Sequence, residues 1–285
     1  MRSKSAFFAA AILASLLSID GARAVNEPAP LSLPVGEDRL AYLKAGQGPA
    51  VVIVHGVGGH KEDWRGVMEA LSPAHTVYAI DMLGFGGSSR DAKELGMAAQ
   101  ARAIAALLDA EKIERADIVG NSVGGWAAAT FAARYPDRTG KLVVVDPAGF
   151  DAMFKGEPPV NLFPENVEQM KTLLSYVLVS DFAHTDAFAE TAFAAFQASG
   201  EKSLPPRLTP ALFGSERLEA VMPKIKAPTL VLWGEQDRLF PVALAPYIAS
   251  LTPGAKQSTI PSASHFPQID NPQAVNAALA GFLAP

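Results

Sequence analysis

Short, unbroken apolar runs recur along the chain from residue 50 onwards. They are Ala50–Val54 (AVVIV), Thr76–Ile80 (TVYAI), Ala116–Val119 (ADIV), Leu142–Val145 (LVVV) and Thr229–Trp233 (TLVLW). Runs this short, rich in β-branched residues and without alternation, predict strands covered on both faces. Lys256–Ile260 predicts one more strand. Arg39–Lys44 alternates enough for an edge strand, behind an extended leader marked by Pro28, Pro30 and Pro34. Between the runs, Met97–Ala110 and Gly124–Arg134 predict helices. Asn271–Leu283 predicts a closing helix, with Asn271 and Pro272 in cap and first-turn positions. Strand–helix alternation of this kind predicts an α/β fold with a mostly parallel central sheet flanked by helices.

One stretch breaks the alternation. From Asp151 to Met222 no strand pattern is found; Val167–Leu178 and Asp186–Ala198 have helical spacing, and Ala and Phe are frequent. Residues 151–222 therefore predict a helical cap inserted between two parts of one core domain, 25–150 and 223–285. The N-terminus is a separate case. Arg2 and Lys4 precede a 12-residue apolar run, Ala6–Leu17, and Ala22-Arg23-Ala24 has the small-x-small form of a cleavage site. That tripartite pattern predicts a secretory signal peptide over residues 1–24 and an exported, periplasmic or secreted, mature protein. The run is too short to span a bilayer, so no stable membrane insertion is expected after cleavage.

Composition narrows the classes. Of 285 residues, 49% are apolar and 19% charged, enough apolar content for a full core. The net charge of −5 argues against a nucleic-acid partner. The absence of cysteine excludes a disulfide scaffold, a thiol nucleophile and a zinc–thiolate site. The five histidines become the candidates for a base.

The candidate chemistry lies at strand ends. The strand Ala116–Val119 runs into Gly120-Asn121-Ser122-Val123-Gly124 and then a helix, a G-x-S-x-G pattern in strand–turn–helix context. A tight turn there lifts the Ser122 hydroxyl clear of the sheet, and bulkier residues at the two glycines would clash. A serine hydroxyl needs a base, and the base needs an orienting acid. His265 follows the last strand, and Asp237 follows Thr229–Trp233. Asp146, after Leu142–Val145, is the alternative acid. The glycine-rich turn His55-Gly56-Val57-Gly58-Gly59 ends another strand and can aim backbone N–H groups at an oxyanion. The hole is assigned to the N–H groups of Val57 and Val123, with Gly58 as the fallback. His55 is expected to brace that turn by hydrogen bonds. His60, His75 and His184 carry no partner signature and are expected at the surface or in packing. Asp81 heads a glycine-rich loop and is expected to shape the mouth of the site; no ligand-spaced partner suggests a metal. An apolar substrate pocket is expected from Gly58, Phe150, Met153, Phe154 and Phe266.

Together these pieces resemble the α/β-hydrolase superfamily. The matching residues are His55-Gly56 with Gly58-Gly59, Asp81 to Ser88, Gly120–Gly124, Trp233-Gly234 with Asp237, and the His265 loop. The order Ser122, Asp237, His265 fits the same pattern. The match is similar to the branch with a helical cap inserted after the sixth strand, and it spans about residue 38 to 285. It implies a serine hydrolase without metal or organic cofactor that cleaves ester-like bonds of small to medium apolar molecules, as a carboxylesterase or lipase does. Relatives with an aspartate nucleophile are set aside because Ser122 stands at that position. Two alternatives within the superfamily are a carbon–carbon hydrolase of ring-cleavage-type diketo acids and a cofactor-free perhydrolase or haloperoxidase. The carbon–carbon branch usually has Trp after the histidine, where this chain has Phe266, and would want a cap cation, for which Arg207 and Arg217 are candidates. Most of the family has Gly before the histidine; this chain has Ser264. A catalytically dead binding module is the non-enzyme alternative.

Overall fold

The computed structural model describes residues 28–284, so the signal-peptide segment lies outside the described residues. Eight strands form one sheet. They are β1 (Leu31–Val35), β2 (Asp38–Gly46), β3 (Ala50–Val54), β4 (Thr76–Ile80), β5 (Ala116–Asn121), β6 (Thr139–Val145), β7 (Thr229–Gly234) and β8 (Lys256–Ile260). Their order across the sheet is β1-β2-β4-β3-β5-β6-β7-β8, with β1, β2 and β4 joined antiparallel and all pairs from β4 to β8 parallel.

The unbroken apolar runs have the meaning the sequence suggested. In β3, Val52 and Val54 enter one core while Val51 and Ile53 enter another on the opposite face; β6 divides Leu142 and Val144 from Val143 and Val145 in the same way. One face is covered by α1 (Arg65–Leu71) and the C-terminal helix Pro272–Leu283, through Val67, Leu71, Val275, Leu279 and Leu283. The other is covered by α2 (Met97–Ala110) and α3 (Val123–Arg134), which are rich in buried alanine. Small side chains let these two helices pack close to each other and to the sheet.

Between β6 and β7 the described residues contain helices and no strand. The main ones are α4 (Val167–Val177), α5 (Asp186–Ser199) and α6 (Pro205–Phe213). The sequence suggested the first two. It concealed α6 because Pro205, Pro206 and Pro210 read as loop, whereas the first two occupy opening helical positions that lack a hydrogen-bonding duty. A second correction concerns the N-terminal edge. Arg39–Lys44 is not an edge strand: β2 pairs on both sides, and the supposed leader supplies the edge as β1, with Pro34 inside it. A proline is tolerated there because an outermost strand has a free side.

The parallel portion changes winding direction between β3 and β5, since the chain first adds β4 on one side and then β5 on the other. Loops leaving the carboxyl ends of these two strands diverge and leave a crevice. His55–Gly59 follows β3, and Ser122 follows β5, so both face that crevice.

The turn after β5 depends on close backbone approach. A Cβ on Gly120 would lie 2.2 Å from the Gly124 carbonyl oxygen, and one on Gly124 would lie 2.2 Å from the His55 carbonyl oxygen. Gly124→Ala is therefore expected to destabilise the fold by about 3 kcal/mol or more, measured as a lowered urea midpoint.

Candidate active site

Ser122 sits between β5 and α3 with φ 55° and ψ −123°, a conformation that is costly for a side-chain-bearing residue. The turn is held by three backbone bonds. Ser122 N–H donates to the Val145 carbonyl (2.9 Å), while the Ser122 carbonyl accepts from Trp126 N–H (3.1 Å) and Ala148 N–H (3.0 Å). The first N–H groups of α3 have no intrahelical acceptor, which leaves that of Val123 directed to the same end as the serine.

The loop after β3 lies against this turn. A Cβ on Gly56 would stand 2.8 Å from Ser122 Cβ. Gly59 N–H donates to the Gly56 carbonyl (3.1 Å), closing a turn with Val57 inside it and Gly58 at φ +74°, where glycine is favoured. His55 braces the loop as expected. Its Nδ1 is 2.7 Å from the Gly56 carbonyl and its Nε2 accepts from Met82 N–H (3.0 Å). Burial pushes its ring below the ordinary histidine range, so it is neutral, and these two bonds define the tautomer.

Asp237 and His265 come together from loops after β7 and β8. His265 Nδ1 is 2.8 Å from Asp237 Oδ2, and Asp237 Oδ1 accepts from the N–H groups of Leu239 (2.8 Å) and Phe240 (2.9 Å). All three candidate residues are buried; Ser122 is 7% exposed and His265 1%. His265 Nε2 has no hydrogen-bond partner among the described residues, so this ring position is free to take a proton. Phe240 stands edge-on to the imidazole with centroids 5.1 Å apart, and Phe266 packs on it at 5.4 Å. Phe150 packs on Phe240 at 5.1 Å, which brings it to the imidazole's neighbourhood. Phe154 is engaged elsewhere, with Trp126, Phe213 and the Arg217 guanidinium, and Met153 Sδ accepts from Gly149 N–H.

Three elements of this site were not visible in the sequence reading. Asn121 Nδ2 donates to the carbonyls of Val145 (3.1 Å) and His265 (3.0 Å), tying the serine turn to the histidine loop. Ser264, standing where most of the family has glycine, donates its hydroxyl to the Tyr176 carbonyl at the end of α4 (2.9 Å). The third is a correction. His60 does have a partner: its Nε2 is 2.9 Å from Glu201, a carboxylate from the inserted segment that is 1% exposed. Burial opposes the ring's charge, but the Glu201 bond and charge outweigh it, and the His60 pKa is pushed up to about 9. Asp81 is also more than a turn former. It is fully buried, bonds Lys61 Nζ (2.6 Å), Lys61 N–H and Gly87 N–H, and the ammonium holds its carboxyl below the ordinary range despite burial.

Residues 51–278 match the pattern of the Alpha/beta hydrolase family. The chain belongs to this family. Its relatives in the alpha/beta hydrolase family include the 2-hydroxy-6-oxo-6-phenylhexa-2,4-dienoate hydrolase of Burkholderia cepacia, 30% identical over 86% of this chain and 91% of the relative. A 2-hydroxy-6-oxononadienedioate/2-hydroxy-6-oxononatrienedioate hydrolase of Comamonas testosteroni matches at the same identity and coverage. Among solved structures, a bacterial membrane phospholipase A superposes with a TM-score of 0.79 at 26% identity, covering 97% of this chain and 92% of that one. A meta-cleavage product hydrolase from Pseudomonas fluorescens IP01 superposes with a TM-score of 0.74 at 26% identity, covering 90% and 97%.

The His60–Glu201 pair gives a pH signature. A histidine raised to about 9 from 6.5 stabilises the fold fully below about pH 6.5 and loses that contribution as pH rises through 9. His60→Gln is expected to cost on the order of 2 kcal/mol at pH 6.5, a gap that narrows steadily towards pH 10 in chemical unfolding.

Proposed function

We propose that this alpha/beta hydrolase acts through an acyl-enzyme on Ser122, and that the bond it breaks is the carbon–carbon bond beside a ketone in a 2-hydroxy-6-oxo-dienoate-type acid. The single observation behind the serine mechanism is the His265 ring: Nδ1 is fixed by Asp237, and the buried Nε2 is unpartnered. Ser122 Oγ adds to the carbonyl carbon while His265 Nε2 takes its proton. Asp237 stabilises the imidazolium and fixes the ring's orientation. The N–H groups of Val57 and Val123 receive the developing oxyanion. Collapse of the adduct expels the leaving group, to which His265 returns the proton, and water then releases the acid from Ser122 by the same base. A carbon leaving group needs that proton more than an alkoxide does, and burial of the ring keeps the proton from being lost to bulk water.

Support for carbon–carbon cleavage comes from the relatives at 30% identity, which are hydrolases of 2-hydroxy-6-oxo acids and whose length this chain nearly covers. Ester hydrolysis, the first expectation from the sequence, stays as the second reading on two specific observations. One is the superposition on a phospholipase A. The other concerns the cap cations expected to grip a substrate carboxylate. Arg207 is bound to the carbonyls of Arg90 and Ala92, and Arg217 to those of Leu212 and Ser215 while stacking on Phe154. Export with removal of residues 1–24 is part of the proposal and rests on the N-terminal pattern alone.

The deciding assay compares 2-hydroxy-6-oxo-6-phenylhexa-2,4-dienoate with p-nitrophenyl esters from C2 to C16. Carbon–carbon specificity is expected to give a kcat/KM at least tenfold higher on the dienoate; the reverse ratio makes the protein an esterase. Ser122→Ala is expected to lower kcat by about 10⁴ on whichever substrate is turned over.

A further inference from the structure

Asp146 has no role in the mechanism above, yet it lies inside the machinery. It directly follows β6, is fully buried, and adopts φ 44°. Its Oδ1 accepts from Gly234 N–H (2.8 Å), while Oδ2 has no hydrogen-bond partner among the described residues. One oxygen each of Asp146 and Asp237 and one ring nitrogen of His265 lie within 4.8 Å of one another. Two buried carboxylates this close cannot both hold a full negative charge without large cost.

We propose that Asp146 is a positioning residue whose proton-bearing Oδ2 donates to the Asp237 carboxylate, and that it replaces Asp237 as partner of the imidazole when the Asp237 charge is removed. The inference rests on the serine mechanism but not on which bond is cleaved. Asp237 has both backbone donors and the imidazole to stabilise its charge, whereas Asp146 has a single N–H. The one proton of the pair therefore belongs on Asp146. Burial, then the Asp237 charge, push the Asp146 carboxyl well above the usual carboxylate range, and Asp270 nearby acts in the same direction. Asp237, His265 and Asp270 are the titratable groups set against it. Asp270 is itself occupied with the N–H groups of Val179, Ser180 and Ser264 and the Ser180 hydroxyl.

Asparagine reproduces the proposed state: its Oδ1 accepts from Gly234 N–H, its Nδ2 donates to Asp237, and it tolerates the positive φ. The test is the rate of Ser122 labelling by a fluorophosphonate between pH 5 and 9, which reads activation of the serine without a chosen substrate. Asp146→Ala, which takes the donor away from Asp237, is expected to label at least fivefold more slowly than the parent, and Asp146→Asn, which keeps a donor there, to recover most of that loss. Asp237→Asn removes the like charge and lets Asp146 ionise, so its labelling should climb with pH. The Asp237→Asn/Asp146→Asn double variant should show no such climb and label at least tenfold more slowly at pH 9. An Asp146→Asn variant as slow as Asp146→Ala, or identical profiles for the Asp237→Asn and double variants, overturns the proposal. Failure of the parent to label overturns the serine mechanism itself, and this inference with it.

Discussion

The site depends on one close approach, that of the loop after β3 to the turn after β5. Two stretches of backbone meet there with no space for a side chain on Gly124 or Gly56, and within the turn itself Gly120 is closed off by the Gly124 carbonyl. The strained backbone of Ser122 can persist only because its neighbours over-determine it: the Val145 carbonyl takes its N–H, and two donors take its carbonyl. The same crowding that costs conformational energy sets Ser122 against the loop after β3. Position and chemistry therefore have one cause, and a methyl group at any of these glycines would disturb both.

Charge is handled by partition. Buried charges are costly unless paired, and this fold buries two separate clusters around the crevice. On the oxyanion side, Lys61 and Asp81 neutralise one another, His60 and Glu201 do the same, and His55 is left neutral to work as a brace. Asp63, which accepts from His60 N–H, is raised by burial to about 6 with the charged ring beside it holding it lower than burial alone would. On the histidine side, Asp237 holds His265 and backbone donors hold Asp237. The carboxylates of both clusters thus each have a cation, a ring or a backbone N–H beside them.

What the sequence revealed and what it concealed divide along range. Ser122 and Asp237 each follow an apolar run within a few residues and His265 follows the last expected strand, so strand ends and the G-x-S-x-G turn were enough to nominate them, and the structure brings Asp237 and His265 to 2.8 Å. The parallel sheet was legible because β3, β4, β5, β6 and β7 are buried on both faces and leave no polar alternation. The edge was misread because Pro34 signals a turn or leader locally, and only pairing with β2 makes it a strand. His60 and Glu201 are 141 residues apart, and nothing local to either announces the other. Ser264 looked like a departure from the family's glycine. It is instead an anchor, since glycine could not bond the Tyr176 carbonyl.

Those concealed contacts share a direction: each joins the inserted segment to a different half of the machinery. Glu201 reaches His60 beside the oxyanion loop. The carbonyls of Tyr176 and Val177 accept from Ser264 and from Phe266 N–H on either side of His265, and Asp270 accepts from Val179 and Ser180. The insertion is therefore anchored at two carboxyl-end loops, those after β3 and β8, rather than resting on apolar contact alone. An apolar interface can slide at small cost, but directional bonds to two separate loops fix its register. The position of the insertion and the conformations of the loops around Ser122 and His265 are consequently set together. Loss of either set of bonds would loosen the insertion and a neighbouring strand-end loop together.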